Sequence, residues 1–327
     1  MSQHPRLQQQ HPKSISMNNF VITTRSMDGN GNFGNEVGET QFIEVPDTEK
    51  IEYTKQHVVG KDNWLKDVLQ GSPADILIYV HGFNNGMNDV LTRHNTVKTE
   101  LVANGYQGKV ISFDWACGQS VMLYLEDRHK ADLVCIRLIN DCITILNQQQ
   151  TNGCTANVHV LAHSTGAYIV REAFGGSNIS SSDASTFKWQ VAQCVFVAGD
   201  ISSDSMDLSQ KDIYGFYEHV VRVTNYYNPY DEVLKISNSK RLGFSPRVGR
   251  VGLPQDTPSK CVDINCGNTY NAIPQKGGLT YGHAWYFDPS NNQIFMKDLA
   301  YTIMGNIDRN YIPTRTRIDD DRFTLNG

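Results

Sequence analysis

The stretch VHVLAHSTGAYIV, residues 158–170, constrains the fold more than any other part of the chain. An apolar, β-branched run stops at Ala162-His163-Ser164-Thr165-Gly166, and helix formers take over from Ala167 to Ala173. That order reads as strand, sharp turn, helix, with a serine at the apex. It fits the nucleophile-elbow pattern G-x-S-x-G, with Ala162 in place of the first glycine. The demand behind the pattern is steric. The serine takes a strained backbone angle, and small residues two positions to either side let strand and helix close on each other. The turn lifts the hydroxyl out of the sheet and aims the amide of Thr165 at the same point. One turn thus supplies a nucleophile and half of an oxyanion hole. A serine between small residues also suits an ordinary tight turn, so the weight of the reading rests on the remainder of the chain.

That remainder alternates. Residues 76–80, 109–114, 157–161, 193–198 and 219–224 are apolar runs of strand length, and residues 260–264 form a last short one. Helical periodicity fills 89–103 and 123–149. Residues 20–24 and 41–45, joined across a Gly/Asn-rich turn at 28–35, read as an antiparallel pair at one edge. Continuous apolar strands separated by helices predict an α/β fold: a mostly parallel central sheet with helices on both faces. The expected organisation is a disordered lead-in over residues 1–19, polar and rich in Gln, His and Ser, and one domain over 20–327. In such sheets ligands bind beyond the carboxyl ends of the strands.

The polar residues of interest follow strand ends. After residues 76–80 comes His81-Gly82-Phe83-Asn84-Asn85-Gly86, whose glycines permit a backbone that curls toward a ligand. The amide of Phe83 is positioned to complete an oxyanion hole with that of Thr165. A glycine turn between strand and helix would look the same. A serine nucleophile needs a base. His4 and His11 lie in the lead-in, His129 in a helical stretch, His159 within the elbow strand, and His219 at the start of a strand. His163 adjoins Ser164 and is expected to point away from it. His283, in a loop after the last expected strand, remains. Two carboxylates could orient it, Asp231 after residues 219–224 and Asp200 after residues 193–198; Asp231 is favoured. The chain order Ser, acid, His is that of the α/β-hydrolase triad. His81, Trp115, Tyr230 and Trp285 stand at strand tips as candidate walls of a substrate cleft. Arg247, Arg250 and neighbouring cations read as a solvated loop whose arginines pin backbone carbonyls.

These segments together resemble the bacterial α/β-hydrolases once catalogued as a domain of unknown function, DUF900. The resemblance runs through Val21–Arg25, Val80-His-Gly-Phe-Asn84, Ser112-Phe-Asp-Trp115, Tyr124–Asp127, the Ala-His-Ser-Thr-Gly elbow, Ala198-Gly-Asp200 and Tyr227-Asn-Pro-Tyr-Asp231 through Ser237. It ends with Arg241-Leu-Gly, Arg247-Val-Gly249 and Gly282-His283. It implies an α/β-hydrolase fold with Ser164, Asp231 and His283 as the triad. Two positions depart from the pattern: Ala162 at the elbow, and Phe113-Asp114 where Trp-Pro is expected. Neither removes a reacting group.

The expected activity is hydrolysis of carboxylic esters through an acyl-enzyme, with a small-molecule ester as partner and no cofactor. The alternatives are thioester or amide hydrolysis by the same residues, and a non-catalytic binding protein on the same fold. A net charge of −5 gives no reason to expect nucleic acid or an anionic membrane as partner. No apolar run approaches the roughly 20 residues of a membrane span. The lead-in lacks the apolar core of a secretory signal. Seven irregularly spaced cysteines argue for reduced thiols in a cytoplasm rather than a disulfide framework. The absence of C-x-x-C and the scatter of the histidines argue against a metal site.

Overall fold

The computed structural model describes residues 18–47, 52–71, 73, 75–117, 128–151, 155–175, 189–240 and 245–326. The expected lead-in, apart from its last two residues, lies outside them, as do residues 118–127 of the segment 116–131 and residues 241–244 of the loop 238–259, the two segments that read in the sequence as candidate covers of the site.

Eleven strands form one sheet among the described residues. They are β1 (Asn19–Met27), β2 (Phe33–Val45), β3 (Val58–Val59), β4 (Asp75–Val80), β5 (Lys109–Asp114), β6 (Asn157–His163), β7 (Val191–Val197), β8 (Val220–Tyr227), β9 (Cys261–Asn265), β10 (Arg315–Arg317) and β11 (Arg322–Leu325). The helices are α1 (Lys61–Val68), α2 (Met87–Ala103), α3 (Arg128–Arg137), α4 (Thr144–Thr151), α5 (Thr165–Gly175), α6 (Ile213–Glu218), α7 (Glu232–Lys240), α8 (Val248–Val251), α9 (Gly267–Ala272), α10 (Tyr281–Ala284) and α11 (Gln293–Met304). The helix expected over 123–149 is described from Arg128 and is interrupted by a π-helical stretch, Leu138–Ile143, between α3 and α4.

The strand order is β10-β11-β9-β8-β7-β6-β4-β5-β1-β2-β3. Every pairing from β11 through β1 is parallel, and the antiparallel pairs are at the two edges. Both faces are covered, as strand side chains alternate between them. Ile76, Ile78 and Val80 of β4 enter a core with α1, α3, α4, α5 and α6. Leu77 and Tyr79 enter a second core with α2, α9 and α11.

The chain steps from β4 to β5 on one side, then returns past β4 to lay β6 on the other. This reversal makes the carboxyl ends of β4 and β6 the topological switch point of the sheet, where open α/β sheets bind ligands. The last expected strand, residues 260–264, is followed by two more: β11 adds to β9 in parallel and β10 pairs with β11. No helix among the described residues is long and apolar enough to cross a membrane. Cys117, Cys135, Cys142, Cys194, Cys261 and Cys266 are buried free thiols.

Candidate active site

β6 runs through His163, α5 begins at Thr165, and Ser164 between them has φ 56°. This left-handed conformation is costly for a residue with a Cβ, and its surroundings hold it. The Ser164 amide donates to the Val197 carbonyl at 3.1 Å, and the Ser164 carbonyl accepts the amides of Ala167 at 3.1 Å and Asp200 at 3.0 Å. The close approach demanded of the elbow falls on Gly166. A Cβ there would come within 2.5 Å of the Val80 and His81 carbonyl oxygens. Ala162 faces the core, where its methyl is fully buried, so its departure from glycine is accommodated.

Asp231 ends the loop after β8 and is fully buried. Its Oδ1 accepts the Leu234 amide at 3.0 Å, capping α7, and its Oδ2 meets His283 Nδ1 at 2.6 Å. Nδ1 facing a carboxylate carries the proton, which leaves Nε2 to accept. Ser164 Oγ lies 2.8 Å from Nε2. His283 sits in the short α10 rather than in a plain loop. Two further contacts hold that segment: Asn228 Nδ2 donates to the Gly282 carbonyl at 2.9 Å, and His163 Nε2 to the His283 carbonyl at 3.1 Å.

His163, expected to point away from Ser164, turns its ring toward His283. Its ring packs on that of His283 with centroids 4.9 Å apart. Burial, with the His283 and Arg93 charges adding, pushes its pKa well below the usual histidine value, so it stays a neutral donor. Asp200 pairs with Arg247 at 3.2 Å, whereas Asp231 is the carboxylate on His283. Arg250 Nε donates to the Asp231 carbonyl at 3.2 Å, so this arginine does pin a backbone carbonyl.

The loop from His81 to Gly86 curls through Asn84, whose φ is also 56°. The Phe83 and Thr165 amides donate to no protein acceptor among the described residues. Gly82 lies against the serine, since a Cβ there would come within 2.7 Å of Ser164 Cβ.

Three of the expected cleft residues are not cleft walls. His81, Trp115 and Trp285 are fully buried. The rings of His81 and Trp115 stack 5.3 Å apart, and Trp115 Nε1 donates to the His81 carbonyl at 2.8 Å. Trp285 packs against Tyr286 and Phe295 in the second core. Large rings at strand tips here fill the layer behind the site. Tyr230, 49% exposed, remains at the surface beside Tyr270. Sequence reasoning gave no role to Asn228, or to Arg25 and Asp114 behind the loop, although all three lie in segments that carry the family resemblance.

A search of curated proteins returned no match. Among solved structures, a cutinase-like protein from Cryptococcus sp. is similar at 16% identity and TM-score 0.34, covering 73% of this chain and 98% of that one. An acetyl xylan esterase is similar at 11% identity and TM-score 0.33, covering 69% and 98%. The phospholipase PlaB from Legionella pneumophila is similar at 10% identity and TM-score 0.34, covering 75% and 65%. The family model described as an alpha/beta hydrolase of unknown function, DUF900, matches residues 59–289, more than half of the chain, and the protein belongs to that family.

Proposed function

We propose that the protein is a serine hydrolase acting on carboxylic esters, with Ser164 as nucleophile, His283 as general base and acid, and Asp231 as the orienting carboxylate. The observation that carries this reading is the unbroken chain Asp231 Oδ2, His283 Nδ1, His283 Nε2, Ser164 Oγ, with links of 2.6 and 2.8 Å, at the end of the sheet where the strand order reverses. A binding module has no need of a base with its own carboxylate.

The steps follow from the geometry. His283 Nε2 takes the hydroxyl proton as Ser164 Oγ bonds to the ester carbonyl carbon. The carbonyl electron pair moves to oxygen, and the amides of Phe83 and Thr165 hold that oxyanion. The tetrahedral adduct collapses, the C–O bond to the alcohol breaks, and the imidazolium returns its proton to the leaving oxygen. Water, deprotonated by His283, then attacks the acyl-enzyme and releases the acid and free Ser164. Asp231 stabilises the imidazolium in both halves. Tyr230, exposed and adjacent in sequence to Asp231, is assigned to the substrate side.

The test is a panel of nitrophenyl esters of rising acyl length with wild-type protein and Ser164→Ala, alongside labelling by a fluorophosphonate. Turnover that vanishes in Ser164→Ala, with the label confined to Ser164, is the expected result. Full turnover in the alanine variant overturns the reading. Faster cleavage of thioesters or amides reassigns the acyl substrate, and a protein inert to every acyl compound is a binding protein.

A further inference from the structure

The loop that brings Phe83 to Ser164 is held from behind by a buried polar cluster reaching back to β1. Asp114, fully buried at the end of β5, accepts Arg25 Nε at 2.7 Å and the Tyr53 hydroxyl on Oδ2, and faces His81 Nε2 at 2.8 Å through Oδ1. Burial would raise its pKa, but Arg25 and His81 beside it hold it well below the carboxylate range. Arg25 is buried too, and burial counts against its charge; Asp114 more than offsets this and raises its pKa. Its other nitrogens donate to Asn35 Oδ1 at 2.9 Å and to the Asn85 carbonyl at 2.8 Å. A buried ion pair with this many satisfied bonds rarely outperforms an apolar filling in stability. What it can do, and an apolar filling cannot, is orient a backbone.

The backbone in question is the peptide joining Gly82 to Phe83. The Gly82 carbonyl accepts Asn85 Nδ2 at 2.7 Å and lies 2.7 Å from His81 Nδ1. A carbonyl and an ionised carboxylate both only accept, so both ring nitrogens of His81 donate, Nδ1 to the Gly82 carbonyl and Nε2 to Asp114 Oδ1. Asn85 Nδ2 also reaches the Phe83 carbonyl at 3.0 Å. In a trans peptide the C=O of one residue and the N–H of the next point in opposite directions. Two donors fixed on the Gly82 oxygen therefore fix the direction of the Phe83 N–H.

We propose that His81 and Asn85, braced by Asp114 and Arg25, are positioning residues that set the plane of the Gly82–Phe83 peptide and so aim the Phe83 amide at the developing oxyanion. This rests on the serine-hydrolase reading of the site. Arg25 precedes the segment 59–289 matched by the family model, so the brace draws on a strand outside it.

Near-isosteric substitutions separate aiming from packing. His81→Asn keeps an amide donor near the Nδ1 position. His81→Gln sends its amide toward Asp114 instead and withdraws the donor from Gly82. Asn85→Asp keeps the shape and puts an acceptor where the donor was. With a nitrophenyl ester as substrate, His81→Gln and Asn85→Asp are expected to lose about tenfold or more in kcat while KM stays within about twofold, since only the transition state needs the amide. His81→Asn should restore most of the turnover, and all three should melt close together. Equal kcat for the two His81 variants, an unaffected Asn85→Asp, or losses that follow the melting temperature would overturn the proposal. Wild-type protein that cleaves no ester and whose Ser164 ignores a fluorophosphonate overturns the reading of the site instead, and the two failures are told apart by the wild-type control.

Discussion

Asp231 meets His283 with the one carboxylate oxygen that its helix cap leaves over. Oδ1 is committed to the Leu234 amide at 3.0 Å and Oδ2 to His283 Nδ1 at 2.6 Å, so the cap of α7 and the histidine together fix the carboxylate plane. The same side chain starts a helix and holds His283, the proposed base.

Asp231→Asn can keep the cap through its remaining oxygen but turns a donor toward the Nδ1 proton, favouring the wrong tautomer. Turnover should fall by orders of magnitude, about 10⁴-fold by analogy with a serine protease, with little change in melting temperature. Asp231→Ala also loses the cap, costing a further ~1 kcal/mol of stability. Asp200→Asn breaks a pair with Arg247, away from His283, and should cost far less rate. Ester kinetics on the three variants check this, and a reversed order between the two asparagine variants assigns the acid to the β7 tip.

Two glycines should fail in different ways. An added Cβ at Gly166 would meet backbone oxygens that cannot move aside, so Gly166→Ala should destabilise by about 1–3 kcal/mol in urea unfolding. At Gly82 the added carbon meets the Ser164 side chain, and Gly82→Ala should act mainly on kcat. Gly278→Ala, with open space around it, should be silent in both measurements.

Buried histidines should make the fold acid-sensitive. Burial, with Lys98 adding, lowers the His94 pKa to about 3, against about 6.5 in an unfolded chain. Between those values the unfolded chain binds a proton that the native protein refuses. The contribution of His94 is therefore complete above pH ~6.5 and is lost as pH falls toward 3, at about 1.4 kcal/mol per pH unit. His94→Gln should flatten the stability profile between pH 4 and 6 by that slope. An unchanged slope in urea titrations would remove His94 from the account.

Asp263 should act in the opposite direction. Burial raises its pKa to about 6, despite bonds from Asn225 Nδ2 and the Leu253 amide. The native protein keeps this proton while the unfolded chain loses it near pH ~3.9. Its stabilising effect is full below that value and disappears as pH rises through 6, a change of up to about 3 kcal/mol. Asp263→Asn removes the titration. The stability difference between variant and wild type should therefore move toward the variant from pH 4 to pH 7. A difference constant with pH would show that Asp263 is ionised throughout.

The parts of the fold that could be read in the sequence were those whose signal is local. β5 spans residues 109–114 as read, and α2 begins two residues before the expected 89–103, because buried parallel strands are continuous apolar runs and their helices carry a clear period. β10, with the sequence RTR, and β11, with RFTL, offer no such run. They hold by pairing, and Arg315 is buried against Asp298 on α11, a partner no local pattern reveals. Ser164 was legible because its turn demands small neighbours, whereas His283 emerged by elimination. Trp115, Trp285 and His81 were misplaced because residue type at a strand tip does not say which way a ring points. The contact of His163 with α10 was not legible, because its partner His283 lies 120 residues away in the sequence.

The left-handed angle at Ser164 sets the interests of a stable protein against those of a working one. A glycine there would relieve about 1–2 kcal/mol of backbone strain, more than the ~0.5–1 kcal/mol of chain entropy it costs. Any campaign that selects this protein for heat survival alone will therefore be drawn to the position of the proposed nucleophile, and is expected to enrich robust, inert molecules unless turnover is selected in the same round.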